Sequence, residues 1–175
     1  MPKPSRVELH KSADILAPAG EVWSLLTDWA GMLRWWPNAE QGGLPGPAMI
    51  QCELVAERDA LPRTRRMIFS NGLIVEETIF YQNNDTRRVY YSKSESPGSQ
   101  LSGYLASAYV NEIDAHSCTL HITSWFDARS QAASAAAAAW FEAVYQGIFN
   151  GFRHYFSGRS VNRHPARHKG DSWLE

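Results

Sequence analysis

The chain has 175 residues, which is the size of one domain, because domains usually run to roughly 100–200 residues. It is 44% hydrophobic and 12% aromatic, a composition that supports a compact core and excludes disorder as the main state. Seventeen Lys and Arg residues against eighteen Asp and Glu residues give a net charge of −1, so no strong field attracts nucleic acid or anionic lipid.

The sequence lacks the motifs of several common functional classes. It has no signal-peptide pattern and no window near the ~20 apolar residues of a membrane span, so we expect a cytoplasmic protein without a membrane span. Cys52 and Cys118 stand far apart, and the histidines show no metal-ligand spacing. No glycine-rich nucleotide motif is present. We therefore expect neither a metal nor an organic cofactor.

The first forty residues predict one strand and two short helices. Residues 7–15 alternate apolar and polar side chains, which predicts a half-buried strand that Pro18 ends. Apolar residues then recur at helical spacing over 22–29, and a second short run, 32–36, ends at Pro37. A loop rich in Gly and Pro follows at 42–47.

From Ala48 the pattern predicts six strands in succession, which indicates an antiparallel meander. The turn residues 114–117 predict a hairpin between the last two strands. The predicted strands cover residues 48–57, 64–70, 74–82, 87–94, 103–114 and 117–127.

Residues 131–156 predict a long helix with one wide apolar stripe. Gly147 and Gly151 lie inside it and imply that another segment approaches closely there. Residues 158–175 are polar and basic, and we expect a disordered or extended tail after a single domain at 1–157. The stripe contains Trp140, Phe141, Val144, Tyr145, Ile148, Phe149, Phe152, Tyr155 and Phe156. These elements predict an α+β fold in which a curved antiparallel sheet wraps round a long C-terminal helix and two short helices cap the open end.

The segment from Ile15 to Trp29, followed by Arg34-Trp35-Trp36-Pro37, resembles the opening of the START-like, or Bet v 1-like, superfamily. The resemblance is to its polyketide cyclase/dehydrase and lipid-transport branch in particular, and it covers about residues 5–157. It implies a helix-grip fold around an internal hydrophobic cavity.

Residues 66–73 are similar to the strand and gate loop of the plant abscisic acid receptors, and residues 96–100 stand where those receptors have a second, latch loop. The proline of the gate and the His-Arg-Leu of the latch are missing here. No lysine stands in the strand 48–57, where the receptors hold the carboxylate of the hormone. We therefore do not expect hormone sensing by that mechanism.

Lachrymatory factor synthase shares this fold, and the resemblance implies that Arg66, Glu76 and Tyr104 match its proton-transferring Arg, Glu and Tyr. Glu76 and the adjacent Glu77 point to opposite faces of a strand, and we favour Glu76. A carboxylate in an apolar cavity beside a guanidinium can be poised as a base, with Tyr104 as the acid and Arg66 orienting the carboxylate. The alternative is an Arg–Glu pair that only satisfies itself.

The leading hypothesis is a cofactor-independent enzyme that binds an aromatic or polyketide-like molecule and performs acid/base cyclisation, dehydration or lyase chemistry. The alternatives are a non-catalytic carrier or sensor of hydrophobic ligands and, less favoured, a co-chaperone-like module. The sequence leaves open whether the chain is a monomer or a homodimer. The expected ligand-binding residues are Trp35, Trp36, Phe69, Leu73, Tyr91, Ala106, Trp125, Trp140, Val144 and Ile148.

Overall fold

Seven antiparallel strands form one curved sheet in the computed structural model of the chain, which describes residues 5–37, 44, 46–56, 60–95 and 98–160. The order across the sheet is β1-β7-β6-β5-β4-β3-β2. The strands are β1 Ser5–Ile15, β2 Met49–Leu54, β3 Arg63–Phe69, β4 Ile74–Asn83, β5 Arg88–Lys93, β6 Leu101–Asp114 and β7 Ser117–Ala128.

The predicted meander is confirmed, because β2 to β7 lie side by side in chain order. The predicted hairpin is also present, with Val110 paired to Leu120 on either side of its turn. Between β1 and β2, the helix α1 (Ala19–Thr27) and a short 3-10 helix (Gly31–Arg34) occupy the two positions predicted to be helical.

The long helix α2 (Gln131–Ser160) packs on one face of the sheet, which we call the concave face; the opposite face is the convex face. The apolar side chains of α2 meet those of β1 and β7, and Phe126, Tyr145 and Phe152 are fully buried between them. The helix extends to Ser160, beyond the domain boundary predicted at 157. The rest of the predicted tail, 161–175, lies outside the described residues.

The close approach predicted at the two helix glycines is present. A Cβ atom built on Gly151 would lie 2.1 Å from the backbone carbonyl oxygen of Trp35, and one built on Gly147 would lie 2.0 Å from a methyl group of Leu44. The two glycines therefore let the segment after the 3-10 helix, represented here by Trp35, Pro37 and Leu44, lie directly on α2. This contact forms one side of the cavity described below.

A bulge in β6 lies next to one side chain that matters for the site. Between Ser102 and Leu105 the β6–β7 register shifts, so two residues of β6 lie opposite one residue of β7. Gly103 occupies this bulge with φ 61°, a left-handed conformation that favours glycine. Tyr104, the next residue, lies on the concave face by the same alternation as buried Ala106, and its ring stacks on Phe126.

Candidate functional site

An apolar cavity of about 180 Å³ opens between the concave face and α2. β3, β4 and β5 form its floor, α2 forms one wall, and the segment after the 3-10 helix forms another. Among the described residues, its lining is apolar except for Glu77 and Lys93; the apolar residues are Trp36, Leu44, Pro47, Met67, Phe69, Leu73, Val75, Trp140 and Val144.

Glu77 on β4 lies directly opposite Arg65 on β3 in the strand register. Nε of Arg65 donates to Oε2 of Glu77 at 3.0 Å, and a terminal guanidinium nitrogen donates to the same oxygen. The two side chains are only 6% and 13% exposed. The ring of Trp29 lies under the guanidinium, 3.6 Å from its carbon, and Trp29 Nε1 donates to the backbone carbonyl of Glu77 at 3.3 Å. Oε1 of Glu77 has no hydrogen-bond partner among the described residues.

The placement of Arg66 and Glu76 corrects the choice of Glu76, made from the sequence, as the carboxylate in the cavity. These residues also lie opposite each other, with Nε donating to Oε1 of Glu76 at 2.9 Å. They lie on the convex face, however, and are 39% and 36% exposed. Successive strand residues point to opposite faces, and the buried side chains of Met67 and Ile79 fix which residues face inward. The carboxylate that reaches the cavity is therefore Glu77.

Lys93, at the end of β5, is the second charged residue of the lining and is the register partner of Glu77. Its ammonium group forms no ion pair within 4.0 Å among the residues that the structure describes. Because Arg65 already compensates Glu77, the positive charge of Lys93 has no counter-charge in the cavity among the described residues.

Beside this site, buried hydroxyl groups form a chain across the concave face. Tyr145 donates to Ser124 at 2.6 Å, and the Tyr145 and Tyr104 hydroxyls lie 3.1 Å apart. Burial raises the pKa of Tyr91 and Tyr104 well above the usual value, and the charge of Glu77 adds to the shift of Tyr91. These phenols therefore keep their protons at neutral pH and serve as hydrogen-bond donors.

The structure divides the other predicted ligand-binding residues into three groups. Those that line the cavity are Trp36, Phe69, Leu73, Trp140 and Val144. Those that are buried on the concave face or on α2 without lining the cavity are Tyr91, Ala106 and Ile148, together with Trp35. Trp125 is misplaced in the prediction, because its neighbours Ser124 and Phe126 point inward and Trp125 therefore lies on the convex face.

Trp35 belongs to the core. Its ring centroid lies 4.5 Å from that of Phe152 on α2, and only 5% of the residue is exposed. Its Nε1 is buried and has no hydrogen-bond partner in the part of the chain that the structure describes. Trp36, the next residue, faces the cavity instead.

Sequence reasoning missed Arg65, Lys93 and Tyr145 as site residues. Side chains alternate between the two faces along β5, so Lys93 lies on the same face as Val89 and Tyr91, which are both buried, and this alternation would have identified it. No comparable signal marked Tyr145, which the sequence assigns to the apolar stripe of the helix.

The described ranges contain neither a metal-binding cluster nor a membrane-spanning helix. No group of three or more His, Cys, Asp or Glu side chains there is arranged to hold a metal ion. No helix in those ranges is both long enough and apolar enough to cross a membrane.

Comparison with known structures shows the same fold at low sequence identity. A protein from Bacillus thuringiensis has a TM-score of 0.69 at 18% identity, over 86% of this chain and 99% of that one. Norcoclaurine synthase from Thalictrum flavum, solved with dopamine and hydroxybenzaldehyde, has a TM-score of 0.67 at 13% identity, over 94% and 91% of the two chains. The di-domain aromatase/cyclase BexL, from the BE-7585A biosynthetic pathway, has a TM-score of 0.70 at 13% identity, over 86% of this chain and 46% of that one.

The comparison with curated proteins finds no match. A family model described as "Polyketide cyclase / dehydrase and lipid transport" matches residues 6–156. This match spans β1 to α2 and includes every residue of the cavity lining, and the helix-grip fold agrees with it. The chain is thus a member of the polyketide cyclase/dehydrase and lipid-transport family, within the START-like, or Bet v 1-like, superfamily.

Proposed function

We propose that this protein binds a small hydrophobic or aromatic molecule in the cavity and carries out acid/base chemistry on it, with Glu77 as the base. The observation that carries the proposal is the state of the Glu77 carboxylate. One oxygen is held by Arg65, and the other has no partner among the described residues at the wall of an apolar cavity. Cyclase and synthase activities named for proteins of the same fold support the class of reaction by analogy.

Arg65 orients the base. Two hydrogen bonds to one carboxylate oxygen, with Trp29 stacked beneath the guanidinium, fix the plane of the Glu77 carboxyl group. A preorganised base of this kind loses little entropy when it meets its substrate. Arg65 does not line the cavity, so it acts through Glu77 and is a positioning residue.

A single carboxylate is sufficient for the simplest dehydration. Oε1 of Glu77 takes a proton from a carbon next to a carbonyl group, and the electron pair of that C–H bond forms an enolate. The protonated carboxyl then returns the proton to a hydroxyl group on the neighbouring carbon as that C–O bond breaks, so the products are an alkene and water. No electron acceptor is required, and the same base can start a cyclisation.

The second candidate is a carrier or sensor that binds without turnover. The specific observation that favours it is that Glu77 already has a charge partner, as a carboxylate with a purely structural role would. In that case the cavity would hold a ligand, and replacing Glu77 by Gln would change neither binding nor any product.

The test follows thermal shift and product formation by mass spectrometry over a panel of aromatic and polyketide-like compounds. Glu77→Gln is the variant, and Glu76→Gln is its matched control, because the same ion pair is present there on the convex face. Turnover that Glu77→Gln abolishes, with the thermal shift retained, would support the enzyme, and Glu76→Gln should then match the wild type. Binding without product in all three proteins would support the carrier. No thermal shift with any compound would overturn both.

A further inference from the structure

We infer that the cavity selects a single-ring compound with one anionic group, and that Lys93 is the residue that selects the charge. The inference rests on the proposed function, since it names the class of ligand for the same cavity. Two independent observations carry it: the small size of the cavity, and a lysine in its lining that forms no ion pair with any residue the structure describes.

The upper limit on ligand size follows from the volume of the cavity and from the aromatic side chains packed near it. At about 180 Å³ the cavity is smaller than the roughly 300–1,000 Å³ of most ligand sites. An apolar cavity of about 150 Å³ is enough for one benzene ring. Buried aromatic side chains adjoin residues of the lining. Phe141 follows Trp140 and stacks on Tyr104 with ring centroids 5.1 Å apart, and Trp29, which donates to the Glu77 carbonyl, meets Tyr91 edge-on at 5.4 Å. These rings are buried, so a second fused ring directed into the protein would have to displace part of the core.

The charge preference follows from the balance of the site. Arg65 and Glu77 form a nearly buried pair that is neutral as a whole. Lys93 then leaves one positive charge in an otherwise apolar lining. A charge in such surroundings is stabilised by an opposite charge at close range, because the local dielectric constant is lower than that of water. A ligand with a carboxylate or phenolate supplies that charge, whereas a neutral compound of the same shape does not.

The position of Lys93 fits one end of such a ligand. Lys93 is the last residue of β5 and lies across from Glu77, while Trp36, Phe69, Leu73 and Trp140 provide apolar surface elsewhere in the lining. A planar ring against these side chains would direct its anionic group to the lysine. A long alkyl chain or a multi-ring polyketide finds no room in the same volume.

The experiment measures dissociation constants by NMR titration for three probes: benzoate, its neutral isostere benzamide, and the two-ring 2-naphthoate. We expect benzoate to bind at least tenfold more tightly than benzamide, and 2-naphthoate to bind more weakly than benzoate. In Lys93→Met the affinity for benzoate should fall to that for benzamide. Lys11→Met is the matched control. It removes the same charge as Lys93→Met, but Lys11 lies on β1, outside the cavity. It should keep the preference.

Several outcomes would overturn the inference. Benzamide could bind as tightly as benzoate, 2-naphthoate could bind more tightly than either single-ring probe, or the preference could survive in Lys93→Met. If the single-ring probes fail but larger compounds of the wider panel bind, the inference is wrong and the proposed cavity function stands. If benzoate is preferred as expected and the wild-type protein leaves every compound unchanged, the inference stands and the catalytic proposal fails.

Discussion

Glu77 faces Arg65 across the β3–β4 ladder on the concave face, and two nitrogens of the guanidinium donate to one carboxylate oxygen. One residue along each strand, Arg66 and Glu76 form the same kind of pair on the convex face. The chain thus contains a nearly buried pair and a partly exposed pair of equal composition, which provide an internal comparison.

Replacing Arg65 by Met should lower the free energy of unfolding by about 3–5 kcal/mol, because the substitution leaves a nearly buried carboxylate without its partner. Arg66→Met should cost no more than about 1 kcal/mol, since the exposed pair is screened by water. Urea unfolding of both variants measures the difference. Equal costs would contradict the burial assigned to the Arg65–Glu77 pair. The double variant Arg65→Met/Glu77→Met should recover much of the loss, because no unpaired charge remains.

Gly151→Ala should destabilise the protein by about 1–3 kcal/mol, because the new Cβ atom would overlap the carbonyl oxygen of Trp35 and force the two segments apart. Gly158→Ala is the matched control in the same helix. No described residue lies within 4 Å of a Cβ atom there, so alanine should stabilise the helix by up to about 1 kcal/mol. Thermal unfolding should shift the two variants in opposite directions. A stabilised Gly151→Ala would mean that the segment after the 3-10 helix does not lie on α2.

The order of elements could be predicted because each one carries its own signal. The turn residues at 114–117, the helical spacing of the stripe at 131–156 and the glycines inside it each depend on local chemistry, and the structure confirms all three. The resemblance of the first helices to a known family then fixed how the elements close round a cavity.

The faces of β3 and β4 could not be predicted, because apolar side chains stand at adjacent positions on both strands. Met67 is followed by Ile68, and Ile79 by Phe80. A large apolar residue would therefore face the core whether the odd-numbered or the even-numbered residues of each strand point inward. Packing against the rest of the core decides it: Met67 and Ile79 are buried, while Phe80 is exposed at a bulge. The choice of Glu76 over Glu77 was wrong for this reason.

Tyr145→Phe should cost about 1–3 kcal/mol, because it removes the bond to Ser124 and leaves the buried hydroxyls of Ser124 and Tyr104 short of a partner. Tyr109→Phe is the control, since the ring of Tyr109 stacks on His121 and its hydroxyl forms no hydrogen bond among the described residues. Chemical denaturation should show that Tyr109→Phe changes the free energy of unfolding by no more than about 0.5 kcal/mol. A neutral Tyr145→Phe would show that the hydroxyl chain adds nothing to stability.

The pH dependence of stability should contain a contribution from His121. Burial, then the positive charges of His10 and Arg88, lower the pKa of His121, while Asp14 acts in the opposite sense. As the pH falls, His121 is therefore protonated in the unfolded chain before it is protonated in the folded one. The free energy of unfolding should then decrease as the pH drops below about 6.5. In His121→Phe, which keeps the ring stacked on Tyr109, the fall between pH 7.5 and 5.5 should be smaller. Urea unfolding at each pH gives the slopes, and an unchanged slope in the variant would contradict the lowered pKa.

Trp140 and Phe141 are adjacent on α2 and should respond differently to truncation. Phe141 is 5% exposed and packs on Tyr104 and Phe126, so Phe141→Ala should cost about 3–5 kcal/mol. Trp140 is 49% exposed at the cavity mouth, so Trp140→Ala should cost less than half as much. The loss in Trp140→Ala should appear in ligand affinity, because its ring supplies apolar surface to the cavity. Thermal unfolding measures the first effect and NMR titration the second. A Trp140→Ala protein with unchanged affinity for every bound compound would show that this side of the lining does not contact the ligand.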